Sequence, residues 1–170
     1  MTEPSFRPAE ERDLPGILEI YNGYILNTTA TFHIRPVALE TMREIIRPGH
    51  PLYRSFVVEE GGVLRGYVLL MRYHEREAYD RTAEVTVYLA PDAVSRGIGG
   101  RALCFIEGVA AQSGFHSLLA AICSENIASV RLFERHGYFQ CARLREVGEK
   151  FGRRLDLLFY EKILANENQG

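Results

Sequence analysis

The sequence predicts a single α/β (α+β) domain, and three observations carry that prediction. A chain of 170 residues is long enough for one real core and short for two. Strand and helix periodicities alternate along it in the order β-α-α-β-β-β-α-β-α-β-β. Residues 82–103, TAEVTVYLAPDAVSRGIGGRAL, then join a strand to a helix through a glycine-rich turn. In the strand half, Val85, Val87 and Leu89 alternate with Glu84, Thr86 and Tyr88, and Pro91 ends the run.

The other elements follow in order. A short strand surrounds Phe6. Asp13-Leu14-Pro15 reads as a helix start, with Asp as cap and Pro in the first turn. Leu14, Ile17, Leu18, Tyr21 and Ile25 share one face of a helix running to about Asn27. A second helix covers 39–46 and stops at Arg47-Pro48-Gly49. Strands at 56–59 and 63–73 are joined by a tight turn at Gly61-Gly62. After the glycine turn a helical stripe of Ile98, Ala102, Ile106 and Val109 runs toward Gly114. Residues 117–122 form a nearly continuous apolar strand, which suits burial on both faces. Ser124-Glu125-Asn126 is a turn and cap for a helix that faces Val130 and Phe133 inward and ends at His136-Gly137. The last strands, 139–147 and 155–163, are joined by 148–152, and the tail from Ala165 is polar. The expected domain is therefore 1–164, followed by a tail at 165–170.

Composition narrows the function. Twenty Lys and Arg against 22 Asp and Glu give a net charge of −2 with no basic block, which argues against nucleic acid as a partner. No long apolar run suggests a membrane partner. Cys104, Cys123 and Cys141 lack C-x-x-C spacing and read as reduced thiols of a cytoplasmic protein, Cys123 being a core thiol. The five histidines form no H-x-H or H-E-x-x-H pair, so no metal is expected.

The glycine turn has three readings. Gly97, Gly99 and Ala102 fit the dinucleotide pattern G-x-G-x-x-A, but the glycines come too long after the strand, and the next strand lacks the expected terminal acid. A turn that binds nothing is the second reading. The third is a pyrophosphate loop of an acyl-CoA-dependent transferase. Glycines let backbone N–H groups crowd round an anion, and a helix N-terminus adds partial positive charge. Two further loops have binding potential. Thr28 to Phe32, with Thr31 and Phe32 as candidate contacts, can wall a substrate pocket or be a plain connection. The charged stretch 74–81 is a solvated face or a loop presenting His74, Arg76 and Tyr79 to a substrate beside Glu84.

The stretches IYNGYI with TATF, AYDRTAEVTVYL, RGIGG, SENIASVRLFERHGY and GEKFGRRLDLLFYEK span nearly the whole chain. Together with the element order they resemble the GNAT N-acetyltransferases, and within them the phosphinothricin and methionine sulfoximine acetyltransferase group. The resemblance implies a mixed, mostly antiparallel sheet of six to seven strands with helices on both faces, and a homodimer. It implies acetyl transfer from acetyl-CoA, as co-substrate, to a small-molecule amine. Pantetheine would pair with the backbone of Val87, Tyr88 and Leu89. The pyrophosphate would lie on the turn formed by Val94, Ser95, Arg96, Gly97, Ile98, Gly99 and Gly100. Asn126 would face the pantetheine arm, Phe133 would stand beside the cofactor, and Glu84 matches the group's general base.

Three positions depart from the group. Val94 stands where GNAT members usually have Gln or Arg, which predicts weaker CoA binding. Phe133 replaces a His and cannot donate a proton, so the leaving thiolate must be protonated by water or substrate. Arg154 replaces a Trp. The leading expectation is an N-acetyltransferase for the α-amine of an amino-acid-like substrate, with Arg76 anchoring its acidic group. The alternatives are a protein or peptide amine acetyltransferase and a catalytically silent acyl-CoA-binding module.

Overall fold

The computed structural model describes residues 3–165. The tail expected at 165–170 falls, from residue 166 on, outside the described residues. Seven strands form one sheet in the order β1-β2-β3-β4-β5-β7-β6: β1 Ser5–Pro8, β2 Arg54–Glu60, β3 Val63–Arg72, β4 Thr82–Leu89, β5 Ser117–Cys123, β6 Phe139–Lys150 and β7 Arg153–Ile163. Every neighbouring pair is antiparallel except β4 with β5. Four α-helices complete the fold among the described residues: α1 Leu14–Asn27, α2 Leu39–Ile46, α3 Ile98–Gln112 and α4 Ile127–Arg135. None of the described helices is long and apolar enough to cross a membrane.

The pleat sends alternate side chains into two cores. Phe56, Val58, Val68, Leu70, Ala83 and Val85 meet α3 and α4. Val57, Tyr67 and Leu69 meet Leu14, Ile17, Tyr21 and Ile25 of α1, with Met42 and Ile46 of α2. The helices therefore lie on opposite faces, α1 and α2 on one and α3 and α4 on the other. Burying a large apolar side chain contributes about 1.5–3 kcal/mol, so these faces hold the helices to the sheet.

Three expectations need correction. Asp13 stands at the start of α1, but its carboxylate does not cap that helix. It accepts both guanidinium nitrogens of Arg7, at 2.7 and 2.8 Å, and the Glu10 N–H at 2.8 Å. A bidentate arginine outcompetes a cap bond because the charge-assisted pair is the stronger contact. β5 is not buried on both faces: Ala121 is exposed. The cluster beneath α1 and α2 draws on β2, β3 and β4 and on no described residue of β5. Finally, β6 and β7 run on to a two-residue turn at Phe151-Gly152, so 148–150 belong to the strand rather than to a loop.

Candidate active site

The parallel pair β4–β5 is short. Thr82, Ala83 and Glu84 pair with Ser117, Leu118 and Leu119, and beyond them the strands part. β4 continues to Leu89, so its edge from Val85 onward faces an opening rather than a ladder. That opening is a cleft of about 1520 Å³. On the β4 side it is lined by Glu84, Val87, Tyr88 and Leu89, and on the β5 side by Ala120, Ala121 and Ile122. Two contacts fix the far end of β4: the Tyr24 hydroxyl donates to Leu89 O at 2.8 Å, and Ala90 N–H to Arg65 O at 2.8 Å. Gly66 lies opposite Leu89, and a Cβ there would come within 2.4 Å of Tyr88 O, so only glycine permits this approach.

Glu84 is the last paired residue, at the apex of the fork. Its neighbour Val85 points into the α3 core, so its own side chain points toward the α1 face, as do Thr86 and Tyr88. Burial raises the Glu84 pKa above its ordinary value, because desolvation penalises the carboxylate. No hydrogen bond or ion pair among the described residues offsets that effect. Arg81, a candidate ion-pair partner, instead donates to Gly114 O at 2.9 Å.

At the other end, the turn before α3 supplies Val94, Ser95, Gly97, Gly99 and Gly100 to the lining. Gly97 is left-handed, with φ of 77°, and Ser95 has φ of 61°. The first α-helical hydrogen bond here runs from Arg101 N–H to Gly97 O at 3.3 Å. The N–H groups of Ile98, Gly99 and Gly100 therefore come too early to find an acceptor within α3. These donors at a helix N-terminus suit an anion. Asn126 also lines the cleft. Its Oδ1 accepts the Ser129 N–H at 3.2 Å as the α4 cap, which leaves the Nδ2 donor unused by the cap. Phe133 is 4% exposed and reaches the lining while packing edge-to-face on Tyr138, centroids 4.9 Å apart.

The remaining expected residues lie elsewhere. Arg96 turns back from the cleft: its guanidinium pairs with Glu60 at 2.9 Å, and Arg65 approaches the same carboxylate at 3.4 Å. Ile98 sends its side chain into the core, 2% exposed. Thr31 is buried, and Phe32 packs on Gly148; neither lines the cleft, whose wall there is Thr28, Thr29 and Ala30. His74, Arg76 and Tyr79 are exposed on the 74–81 loop, outside the lining. The His74 and Tyr79 rings lie 5.0 Å apart, and the Arg76 N–H donates to His74 Nδ1 at 3.2 Å. Arg154 is exposed, 3.8 Å from Glu146.

Sequence reasoning missed Tyr24 and three arginines in the lining, Arg101 of α3 and Arg131 and Arg135 of α4. The i, i+4 spacing of the α4 pair was the available signal, since it places both on one face.

A cleft with a carboxylate at its apex, helix-terminal donors on one wall and arginines beyond them fits a polyanionic ligand and a protonated amine meeting at the fork. Over residues 6–159 the chain matches the family described as Acetyltransferase (GNAT) domain. It is 36% identical over 166 residues to the phosphinothricin N-acetyltransferase of Streptomyces coelicolor, covering 95% of this chain and 97% of that one. To the L-methionine sulfoximine/L-methionine sulfone acetyltransferase of Pseudomonas aeruginosa it is 37% identical over 162 residues, 92% of each chain. An acetyltransferase of Salmonella typhimurium, solved with its cofactor acetyl-CoA, superposes with a TM-score of 0.90 at 33% identity, covering 98% and 96% of the two chains. The chain belongs to the GNAT family and is an N-acetyltransferase.

Proposed function

We propose that the chain transfers acetyl from acetyl-CoA to the α-amine of a small amino-acid-like substrate of the phosphinothricin or methionine sulfoximine/sulfone type, with Glu84 as general base. The observation that carries this reading is the half-buried, unpaired carboxylate of Glu84 at the apex of the β4–β5 fork, on the face opposite the α3 core. The names of the relatives support the substrate class.

Acetyl-CoA supplies the activated acetyl thioester. The N–H groups of Ile98, Gly99 and Gly100, free at the α3 N-terminus, would hold its pyrophosphate, with Arg101, Arg131 and Arg135 in the lining adding positive charge. The open edge of β4 at Val87–Leu89 offers backbone groups to the pantetheine arm. An α-amine is protonated at neutral pH and is then no nucleophile. Glu84 takes that proton directly or through one water, and its raised pKa brings it closer to the ammonium it must deprotonate. A β4 N–H near the fork stabilises negative charge developing on the carbonyl oxygen. Phe133 supplies no proton, so the departing thiolate takes one from water or from the substrate. Arg76, exposed on its loop, reaches the acceptor's acid group from outside the cleft lining. A homodimer belongs to the same reading: β6 is an edge strand with half-exposed Phe139, Leu144 and Val147.

The test is an amine screen with acetyl-CoA, reading thiol release, led by phosphinothricin, methionine sulfoximine and methionine sulfone, with a peptide N-terminus alongside. Turnover confined to the small amino acids is expected. Preference for the peptide, or no turnover with any amine, contradicts the reading.

A further inference from the structure

Lys150, at the tip of the β6–β7 hairpin, is only 3% exposed. Burying an ammonium is costly, and a methionine would fill much the same volume without that cost. Its surroundings show what the amine does. Nζ donates to the backbone oxygen of Thr31 at 2.8 Å, across 119 positions of sequence. Nζ also lies 5.1 Å from the centre of the Phe151 ring. It lies outside the cleft lining.

Thr31 passes the contact on. Its Oγ1 lies 2.9 Å from the Tyr21 hydroxyl, which in turn lies 2.6 Å from His33 Nδ1. The Tyr21 ring meets Tyr88 edge-on at 5.3 Å. Tyr88 stands on the same face of β4 as Glu84 and lines the cleft. A second, independent contact joins the same two segments. Phe32 packs so closely on Gly148 that a Cβ there would come within 2.6 Å of the ring. Between α1 and these anchors the chain lays Thr28, Thr29 and Ala30 along the cleft.

We propose that Lys150 is a positioning residue for the acceptor side of the cleft, holding the loop at 28–33 against the β6–β7 hairpin and so setting the wall on which the amine substrate binds. Naming the occupant as an amine rests on the proposed function; the clamp itself does not. The ammonium supplies the donor that the Thr31 carbonyl would otherwise lack in a buried setting, and the bond is charge-assisted. Its pKa is held below the ordinary lysine value by burial, in keeping with a site that excludes water.

The experiment compares wild type with Lys150→Met, Lys150→Arg and Gly148→Ala. It measures KM for the amine and for acetyl-CoA, and hydrogen exchange of residues 28–33 by mass spectrometry. Lys150→Met is expected to raise the amine KM roughly tenfold, the equivalent of one charge-assisted hydrogen bond, with acetyl-CoA KM nearly unchanged and faster exchange confined to 28–33. Lys150→Arg, which keeps a donor, recovers part of the loss. Gly148→Ala displaces Phe32 and reproduces the same split if Lys150→Met does not fold. An unchanged amine KM, an equal rise in both KM values, or unchanged exchange of the loop overturns the proposal. A wild-type protein that acetylates no amine sinks the functional reading instead, and the exchange measurement still decides the clamp.

Discussion

One wall of the cleft, β4 with the turn at 94–100, is built from residues adjacent in the chain. The opposing wall, the loop at 28–33, takes its shape from the β6–β7 hairpin, with Lys150 meeting Thr31 from 119 positions away. The near wall relies on backbone stereochemistry: a left-handed Gly97, the N–H groups of a helix start, and a strand edge released from its neighbour. The far wall relies on side chains meeting across the fold. A fork whose parallel pairing stops at Glu84 lets both walls converge on one carboxylate. Under the proposed function the difference gives them separate tasks, a general anion cradle on one side and acceptor recognition on the other.

Substitutions can break that division. The largest effect is expected at the point the walls share. Glu84→Gln keeps the size and polarity but cannot accept a proton. Turnover at neutral pH should fall roughly 10²–10⁴-fold, the usual range for a general base, with acetyl-CoA affinity barely changed. Next comes the cradle. A Cβ at Gly99 would lie 3.4 Å from Leu132 and 3.6 Å from Leu89, so the branches of Gly99→Val press on both and into the cleft. Calorimetry should show acetyl-CoA affinity reduced about tenfold or more, a loss of at least about 1.4 kcal/mol, while melting remains cooperative. Unchanged affinity would remove the turn from the site. The smallest effect is expected at Arg76, which is exposed and outside the lining. Exposed pairs contribute about 0–1 kcal/mol, so Arg76→Ala should raise the amino-acid KM by no more than about fivefold, leaving acetyl-CoA unaffected. An equal change with amines that lack an acid group would make Arg76 a solvated surface charge.

Legibility in the sequence follows the same line. β4 and the glycine turn are readable because their determinants are local: a period of two, a proline stop, and a glycine, Gly97, where φ is positive. The direction of Arg96 was not readable, because Glu60, 36 positions earlier, turns it away, and a glycine motif specifies backbone rather than side chains. Thr31 and Phe32 are expected as pocket contacts; in the fold Thr31 is buried, Phe32 is half-buried against Gly148, and both anchor a wall whose cleft-lining part is Thr28 to Ala30. Lys150 read as part of a connecting loop, because its partner cannot be inferred without the hairpin extending to Phe151-Gly152. Ala121 was misjudged because an apolar run does not reveal that α1 and α2 cover only β2–β4.

The central claim is that a desolvated carboxylate at the fork removes the amine proton, and the pH dependence of kcat in wild type and Glu84→Gln tests it most directly. Burial raises the Glu84 pKa, so base function is present above that raised value and is lost as pH falls through it. Wild type should therefore show an acid limb above the ordinary glutamate value of 4.5. The Gln variant should lack that limb, and its deficit should shrink as pH rises and free amine becomes available. A Gln variant with wild-type turnover at neutral pH, or a deficit of the same size at every pH, would contradict the account.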